Sequence, residues 1–497
     1  MTVINLQYCL MNYNCKIRLF TMNLKVTGLI ACNVLALQSV LGNNEVVMPK
    51  KRPNVVFVFA DQLRAQALGY AGDPNVVTPN LNELSKESVN FKYAVSCMPV
   101  STPYRACMLT GQYALTNGMF MNDIQLDPNA VSAGKIYKKN GYETGYIGKW
   151  HINGNGRSNY IEKEFRQGFD YFKALECTHN YNNSPYYEND NRQKKYWDGY
   201  DVVAQTKDAI SYMKTHANDD SPFLLFLSWG TPHNPYFTAP EKYKRIYENK
   251  EIVLRDNVNQ SDRENAIKVL KGYYAHVSAL DECVGMLQDA ISEPGIEDNT
   301  IFIFTSDHGD MLESHGVMAK QKPWDESIMV PFLLKYPAKF GKDGKTTEVI
   351  LNTPDILPTL LGFSNIEIPE TVEGDDLSPI LLGVKEDDTQ AALIECITPY
   401  GEYCRRFGGR EYRGIRTRQY TYVEDLNGPW LLYDNYSDPY QMNNLVNKPQ
   451  YARLQTELKS CLKSILKERG DEFREGEYYI KKWGYKVDAD GTVPYTN

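Results

Sequence analysis

The sequence predicts an α/β fold, in which a large, mostly parallel sheet is sandwiched by helices and a smaller C-terminal α+β domain carries an antiparallel sheet. Three observations predict it. Near-continuous runs of Val, Ile, Leu and Phe recur in NVVFVFADQ (Asn54 to Gln62), ETGYIGKWH (Glu143 to His151), PFLLFLSWGTPH (Pro222 to His233) and TIFIFTSDHGD (Thr300 to Asp310). Strands this uniformly apolar are buried on both faces, as in a parallel sheet covered by helices. Polar residues and a helical pattern follow such runs, which is the alternation a parallel sheet needs for its crossovers. After LSPILLG (Leu377 to Gly383) and the charged VKEDD, the segments shorten to YRGIRTRQYTYVED and PWLLYDN, a pattern of antiparallel strands.

The elements follow in chain order. Lys25 precedes VTGLIACNVLALQSVLG, an apolar run too short for a membrane span, after which NNEVVMPKKRPN turns polar. This reads as a secretory signal starting at Met22, with residues 1–21 an over-extended start and the whole leader ending near residue 42. LIAC (Leu29 to Cys32) resembles a lipoprotein box, but apolar residues continue past Cys32, which favours a plain signal peptide and export to the periplasm. The mature chain is expected to have no stable membrane span. It divides into a catalytic domain over 50–383 and a C-terminal subdomain over 384–497. Within the first, Thr78 is expected to cap a helix with Pro79 at its first position, and STPYRACMLTG reads as a helix beginning near Pro103. In the second, Pro449 opens an amphipathic helix whose apolar face is Leu454, Leu458, Cys461, Leu462, Ile465 and Leu466.

Composition narrows the function. The 497 residues carry 54 basic and 62 acidic side chains, a net charge of −8, so nucleic acid is not an expected partner. The 10 cysteines are scattered, with no C-x-x-C pair and no zinc spacing. Seven lie beyond the leader, and buried or incidentally paired thiols are expected there.

Chemistry gathers at the predicted strand ends, where open α/β sheets bind ligands. The first run ends in Asp61 and Gln62, the second leads to Lys149 and His151, the third to His233, and the last to Asp307 and His308. Asp61, Gln62 and Asp307 supply hard oxygen ligands. With His308 beside them they suit one divalent cation, calcium or magnesium, with manganese permitted by the imidazole. Ser101 sits at the start of the predicted helix with Arg105 one turn in, where free N–H groups and the helix dipole attract an anion.

Ser101-x-Pro103-x-Arg105 followed by Leu109-Thr110-Gly111 resembles the signature of formylglycine-dependent sulfatases, members of the alkaline phosphatase superfamily. In that family a Cys or Ser of the form C/S-x-P/A-x-R is oxidised to formylglycine. Cys97 also precedes an x-Pro, but four residues on stands Ser101 instead of arginine, and Cys107 lacks both elements, so the resemblance selects Ser101. It also covers NVVFVFADQLRAQALGYAG, where many members have Asp-Asp and this chain has Asp61-Gln62, one negative ligand fewer. GYIGKWH carries Lys149 and His151, TPHNPY carries His233, FTSDHGDML carries Asp307 and His308, and AKQKPWDESIMVPFLL carries the second lysine. Family spacing counted back from Glu326-Ser327 selects Lys320 over Lys322. The resemblance continues through TPDILPTLLGF, VEGDDLSPILLG and the tail, and thus spans nearly the whole mature chain.

The resemblance implies an alkaline-phosphatase-like fold and hydrolysis of a sulfate ester by a formylglycine diol at position 101. Asp61, Gln62, Asp307 and His308 would hold the cation, calcium first among the candidates. Arg105 and Lys149 would hold the sulfate oxygens and the charged intermediate, His233 with Lys320 would protonate the leaving oxygen, and His151 would assist sulfate release. A Ser-type motif implies maturation by a bacterial radical-type enzyme before export, and the expected substrate is a sulfated carbohydrate. Two alternatives stand beside this reading: a phosphonate monoester hydrolase or phosphodiesterase of the same superfamily, and a sulfated-glycan binding protein with Ser101 unconverted. Contacts to the alcohol are expected from ECTHNYNNSPYYENDNRQKKYWDGYD, including His179, and from TPYGEYCRRFGGREYRG, where Arg405, Arg406 and Arg410 would meet further sulfate or carboxylate groups. His315 is read as packing beneath the site, and His216 and His276 as surface or helix residues.

Overall fold

β1 (Asn54–Asp61) has every residue buried, as its uninterrupted apolar run requires. It is the centre of the fold in a computed structural model that describes residues 52–496. The expected leader, with Met22 and Cys32, lies outside the described residues. Nine more strands complete the first sheet: β2 (Val89–Val95), β3 (Glu143–Lys149), β4 (Tyr171–Leu175), β5 (Pro185–Glu188), β6 (Asn191–Tyr196), β7 (Phe223–Pro232), β8 (Thr300–Ser306), β9 (Phe332–Lys335) and β10 (Lys345–Asn352). Their order is β10-β2-β9-β8-β1-β7-β3-β4-β5-β6. The central block β8-β1-β7-β3-β4 is parallel throughout. Antiparallel neighbours enter on either side of it through β9 and β5.

Helices cover both faces. On one side the 30-residue helix Arg263–Ser292 packs with the helix Asp201–His216, burying residues such as Leu270, Val277, Leu280, Val284 and Leu287 against Phe302, Phe304 and Leu225. On the other the helix Ser101–Thr110 lies wholly buried in a second core with Phe57, Phe226, Leu357 and Leu361. A helix buried on all sides needs no amphipathic stripe, and this one has none.

The second sheet is antiparallel, in the order β11 (Ala392–Cys396), β12 (Tyr412–Arg416), β13 (Tyr420–Asp425) and β14 (Gly428–Asp434). It is tied to the first by Glu395 N–H donating to Cys97 O at 2.8 Å and Asn352 Nδ2 donating to Leu393 O at 3.1 Å. The expected amphipathic helix runs Ala452–Glu468 after a short turn opened by Pro449, and it buries Leu458, Leu462 and Leu466. The cysteines among the described residues are free thiols, nearly all buried. No helix among the described residues is long and apolar enough to cross a membrane.

Two local expectations are corrected. The helix expected to start near Pro103 starts at Ser101, because Val100 is still extended and Tyr104 N–H already bonds Val100 O. Thr78 holds the N-cap position of the helix Pro79–Lys86 with Pro79 in its first turn, as expected, but its hydroxyl makes no cap bond and accepts instead from Gly69 N–H while facing Asn82.

Candidate active site

Parallel pairing brings the reactive strand ends level. Ala60 lies opposite Ser306, Asp61 opposite Pro232, and Gly148 opposite Ser228, so the residues that leave β1, β3, β7 and β8 emerge at one edge of the sheet. The chain then turns sharply. Gln62 and His151 both have positive φ, 69° and 58°, a conformation that few non-glycine residues adopt. Gly148 (φ 104°) must be glycine, because a Cβ there would stand 2.0 Å from Ser228 O.

At this edge nine of the ten sequence-selected residues touch one another. Ser101 Oγ lies 3.3 Å from Asp61 Oδ2 and 3.3 Å from His308 Nε2. Arg105 donates from Nη2 to Asp61 Oδ2 (3.1 Å) and Asp307 Oδ2 (3.2 Å), and from Nη1 to Lys149 O (2.8 Å) and Ser228 Oγ (2.6 Å). Lys149 Nζ is paired with Asp61 Oδ2. Lys320 Nζ donates to Gln62 Oε1 at 3.2 Å and to His233 Nε2 at 2.8 Å. Gln62 in turn donates its backbone N–H to Asp307 Oδ1 and its Nε2 to Asp310 Oδ2. His151, the tenth, is anchored by Thr102 Oγ1 donating to its carbonyl at 2.6 Å, and its Nε2 stands 3.5 Å from Asp123 Oδ1. Of the two lysines weighed from spacing, Lys320 reaches the site, whereas Lys322 Nζ turns away to Met318 O.

The donor set fits a divalent cation. Ligand atoms of Asp61, Asp307 and His308 lie within 4.8 Å of one another, all fully buried. Asp61 Oδ1 is buried without a partner, which a native interior does not leave uncompensated. His308 Nδ1 is 3.0 Å from Gly309 O and must carry the proton that a carbonyl accepts, so Nε2 presents a lone pair toward Asp61, Asp307 and Ser101. Gln62 follows Asp61 with its backbone N–H on Asp307 Oδ1, and its amide oxygen accepts from Lys320 Nζ.

The electrostatics are those of an anion site. Burial would raise the Asp61 carboxyl, but Lys149, His233, Arg105 and His308 outweigh it and hold the group well below the usual carboxylate range. Burial together with the Lys149 charge lowers His151 to about 3, so the imidazole is neutral at physiological pH. Burial and the neighbouring Lys320 likewise push His233 well below the ordinary histidine value.

Sequence reasoning missed the groups that steady these residues. Asp123 holds Arg157 through two bonds, 2.9 and 2.8 Å, and faces His151, yet it belongs to no strand end and sits at a positive φ of 63° in a loop. Asp310 was legible only as the last residue of the SDHGD run. The arginines expected to meet further sulfate or carboxylate groups present exposed side chains that form ion pairs in this structure: Arg405 with Glu411, Arg406 with Asp490 and Arg410 with Asp425. His315 stacks on Trp324 beside Asn257, and His276 is fully buried against Tyr200 Oη.

Comparison with known proteins gives the same direction. A family model described as Sulfatase matches residues 53–366, and one described as N-sulphoglucosamine sulphohydrolase, C-terminal, matches residues 313–468. An ulvan-active sulfatase of Formosa agariphila is 47% identical over 89% of this chain and 87% of its own length. An endo-4-O-sulfatase of Bacteroides thetaiotaomicron is 28% identical over 87% of this chain and 96% of its own. Among solved structures, one from Bacteroides thetaiotaomicron, from work on the metabolism of multiple glycosaminoglycans, superimposes with a TM-score of 0.77 at 27% identity and covers 89% of this chain and 100% of that one.

Proposed function

The chain belongs to the sulfatase family and is a sulfatase, and from that premise we propose that it removes O-sulfate from carbohydrate through a formylglycine formed at Ser101. The observation that carries this reading is the position of Ser101 Oγ, at the buried start of a helix and within 3.3 Å of both Asp61 and His308. The carbohydrate class is supported by relatives named for ulvan and for endo-4-O-sulfatase activity.

Each residue has a task that its geometry suits. Oxidised to the aldehyde and hydrated, position 101 would supply two hydroxyls, one to attack sulfur and one whose proton loss releases sulfate. Bound by Asp61, Gln62, Asp307 and His308, a calcium ion would offset the charge of the sulfate oxygens and polarise the nucleophile. Arg105 spans both carboxylates and fixes the helix start beneath the nucleophile, while Lys149 adds positive charge from the next strand end. His233 donates Nδ1–H to Asn234 O at 2.9 Å, so its Nε2 accepts from the Lys320 ammonium, and a proton from Lys320, relayed through that Nε2, would reach the departing alcohol. His151, kept neutral by burial and Lys149, accepts the proton from the second hydroxyl.

Maturation follows from burial. Ser101 is fully buried, which supports a radical-type maturase that removes its two hydrogens before the chain folds. That order agrees with the apolar leader read from the sequence and with export to the periplasm. The test is turnover of a panel of sulfated oligosaccharides alongside 4-nitrophenyl sulfate and a phenylphosphonate ester. Sulfate release that exceeds phosphonate cleavage supports the reading, and a preference for phosphonate overturns it.

A further inference from the structure

A second imidazole lies flat against His233, the residue assigned to the departing alcohol. The His179 ring is parallel to that of His233, with centroids 4.7 Å apart and 6° between planes. His233 is buried, whereas His179 is exposed on the loop that follows β4. His179 also lines a cavity of about 330 Å³ with Arg157, Ser158, Cys177, Thr178 and Asn180. We propose that this cavity holds the sugar ring that bears the sulfate ester, and that His179 is the residue that selects it. The inference rests on the sulfatase reading and adds to it the place and character of the alcohol.

The lining argues for a hydroxylated ring of no net charge. It offers a hydroxyl from Thr178 and Ser158, an amide from Asn180 and an imidazole from His179, a set that exchanges hydrogen bonds with vicinal hydroxyls. Its one cation is already matched. Arg157 is spent on Asp123 through two bonds and is covered by the Tyr495 ring, whose centroid lies 3.4 Å from the guanidinium carbon. A second sulfate or carboxylate on the same ring would therefore find no unpaired positive charge there. His179 itself lends a face to His233 and leaves the remainder of its ring to the ligand. Among the described residues its polar side-chain neighbour is Cys177 Sγ, at 3.9 Å, too weak an engagement to hold it from a hydroxyl.

The experiment compares two substrates in the intact, formylglycine-bearing protein and in His179→Ala. One is 4-nitrophenyl sulfate, whose leaving group carries no sugar hydroxyls. The other is the methyl pyranoside monosulfate that the unaltered protein turns over fastest from a set sulfated at each ring position. Loss of a hydrogen bond to the ring lowers kcat/KM for the pyranoside by about 10-fold or more, through KM, relative to the aryl sulfate. Asn180→Ala shifts the same ratio in the same direction by a smaller factor. Equal losses on both substrates would show that His179 only steadies His233, and unchanged kinetics on both would remove it from the site; either overturns the assignment. Preference by the unaltered protein for a ring that carries a second anionic group overturns the neutral-ring inference. Cleavage of the aryl sulfate with none of the pyranosides overturns the sugar cavity while leaving sulfate ester hydrolysis intact, so the two failures are distinguishable.

Discussion

Two buried clusters of charge in this protein are built from similar parts and finished differently. In one, β12 supplies Arg416, which donates from Nε and Nη2 to Asp325 Oδ1 and Oδ2 at 2.9 Å each. Gln441 closes the pair by donating to the same carboxylate at 3.2 Å. Every polar atom of that trio has a protein partner, and the pair holds the second sheet against the segment after Lys322. In the other, at the strand ends, Asp61 Oδ1, Arg105 Nε and both ring nitrogens of His151 are buried with no hydrogen-bond partner. A closed cluster has finished its chemistry within the fold. An open one keeps desolvated, oriented groups at the strand ends that a ligand from outside the chain can satisfy.

The contrast can be broken from either side. Ser101→Ala should produce the largest effect, a loss of turnover of at least about 10⁴-fold with the thermal midpoint unchanged, because the open cluster does not hold the fold together. Turnover on 4-nitrophenyl sulfate and a melting curve on the same preparation check both halves. Arg416→Ala should do the reverse. It strands a buried carboxylate and costs about 3–5 kcal/mol of stability, read from urea unfolding, with turnover per folded molecule little changed.

Subtler changes sharpen the boundary between the clusters. Asp123 faces His151 from a loop outside the strand ends, so Asp123→Asn should lower kcat by about 10–100-fold, at the proposed sulfate-release step. Rapid mixing should then show a burst of 4-nitrophenol before a slow steady state; an unchanged linear trace would remove Asp123 from the machinery. The smallest effect concerns Glu176, which accepts from Asn153 and Gly154 N–H beside the same loop and is pushed up to about 7 by burial. Its folded value lies above the unfolded one near 4.3, so the stability it contributes is complete at acid pH and drains away as pH rises toward 7. Glu176→Gln should therefore flatten the fall of the thermal midpoint over that interval and leave the acid end unaltered.

How much of this was legible depended on whether position in the chain foretold position in space. The apolar runs that became β1, β3, β7 and β8 also fixed where their polar ends would meet, because parallel strands in register must end together. Ser101, Arg105, Lys149, His233 and the Asp61–Asp307 pair were readable for that reason and from the family motifs. Asp123 was not, since a loop at positive φ has no periodicity to announce it. For Arg405, Arg406 and Arg410 the sequence showed a cluster of charge and concealed its partners: Glu411 is a near neighbour, but Asp425 and Asp490 arrive from other elements. The start of the helix at Ser101 was displaced by two residues because Pro103 tolerates several places in a first turn.

The central claim is that position 101 acts as an aldehyde. Trypsin frees the peptide Tyr93–Arg105, which contains it, and the measurement is the mass of that peptide from protein made in a host with the maturase, before and after treatment with a hydrazide. The account predicts a peptide lighter by two hydrogen atoms at Ser101 that shifts on hydrazide treatment, in proportion to turnover across preparations. An intact serine in protein that hydrolyses sulfate esters at full rate would contradict it.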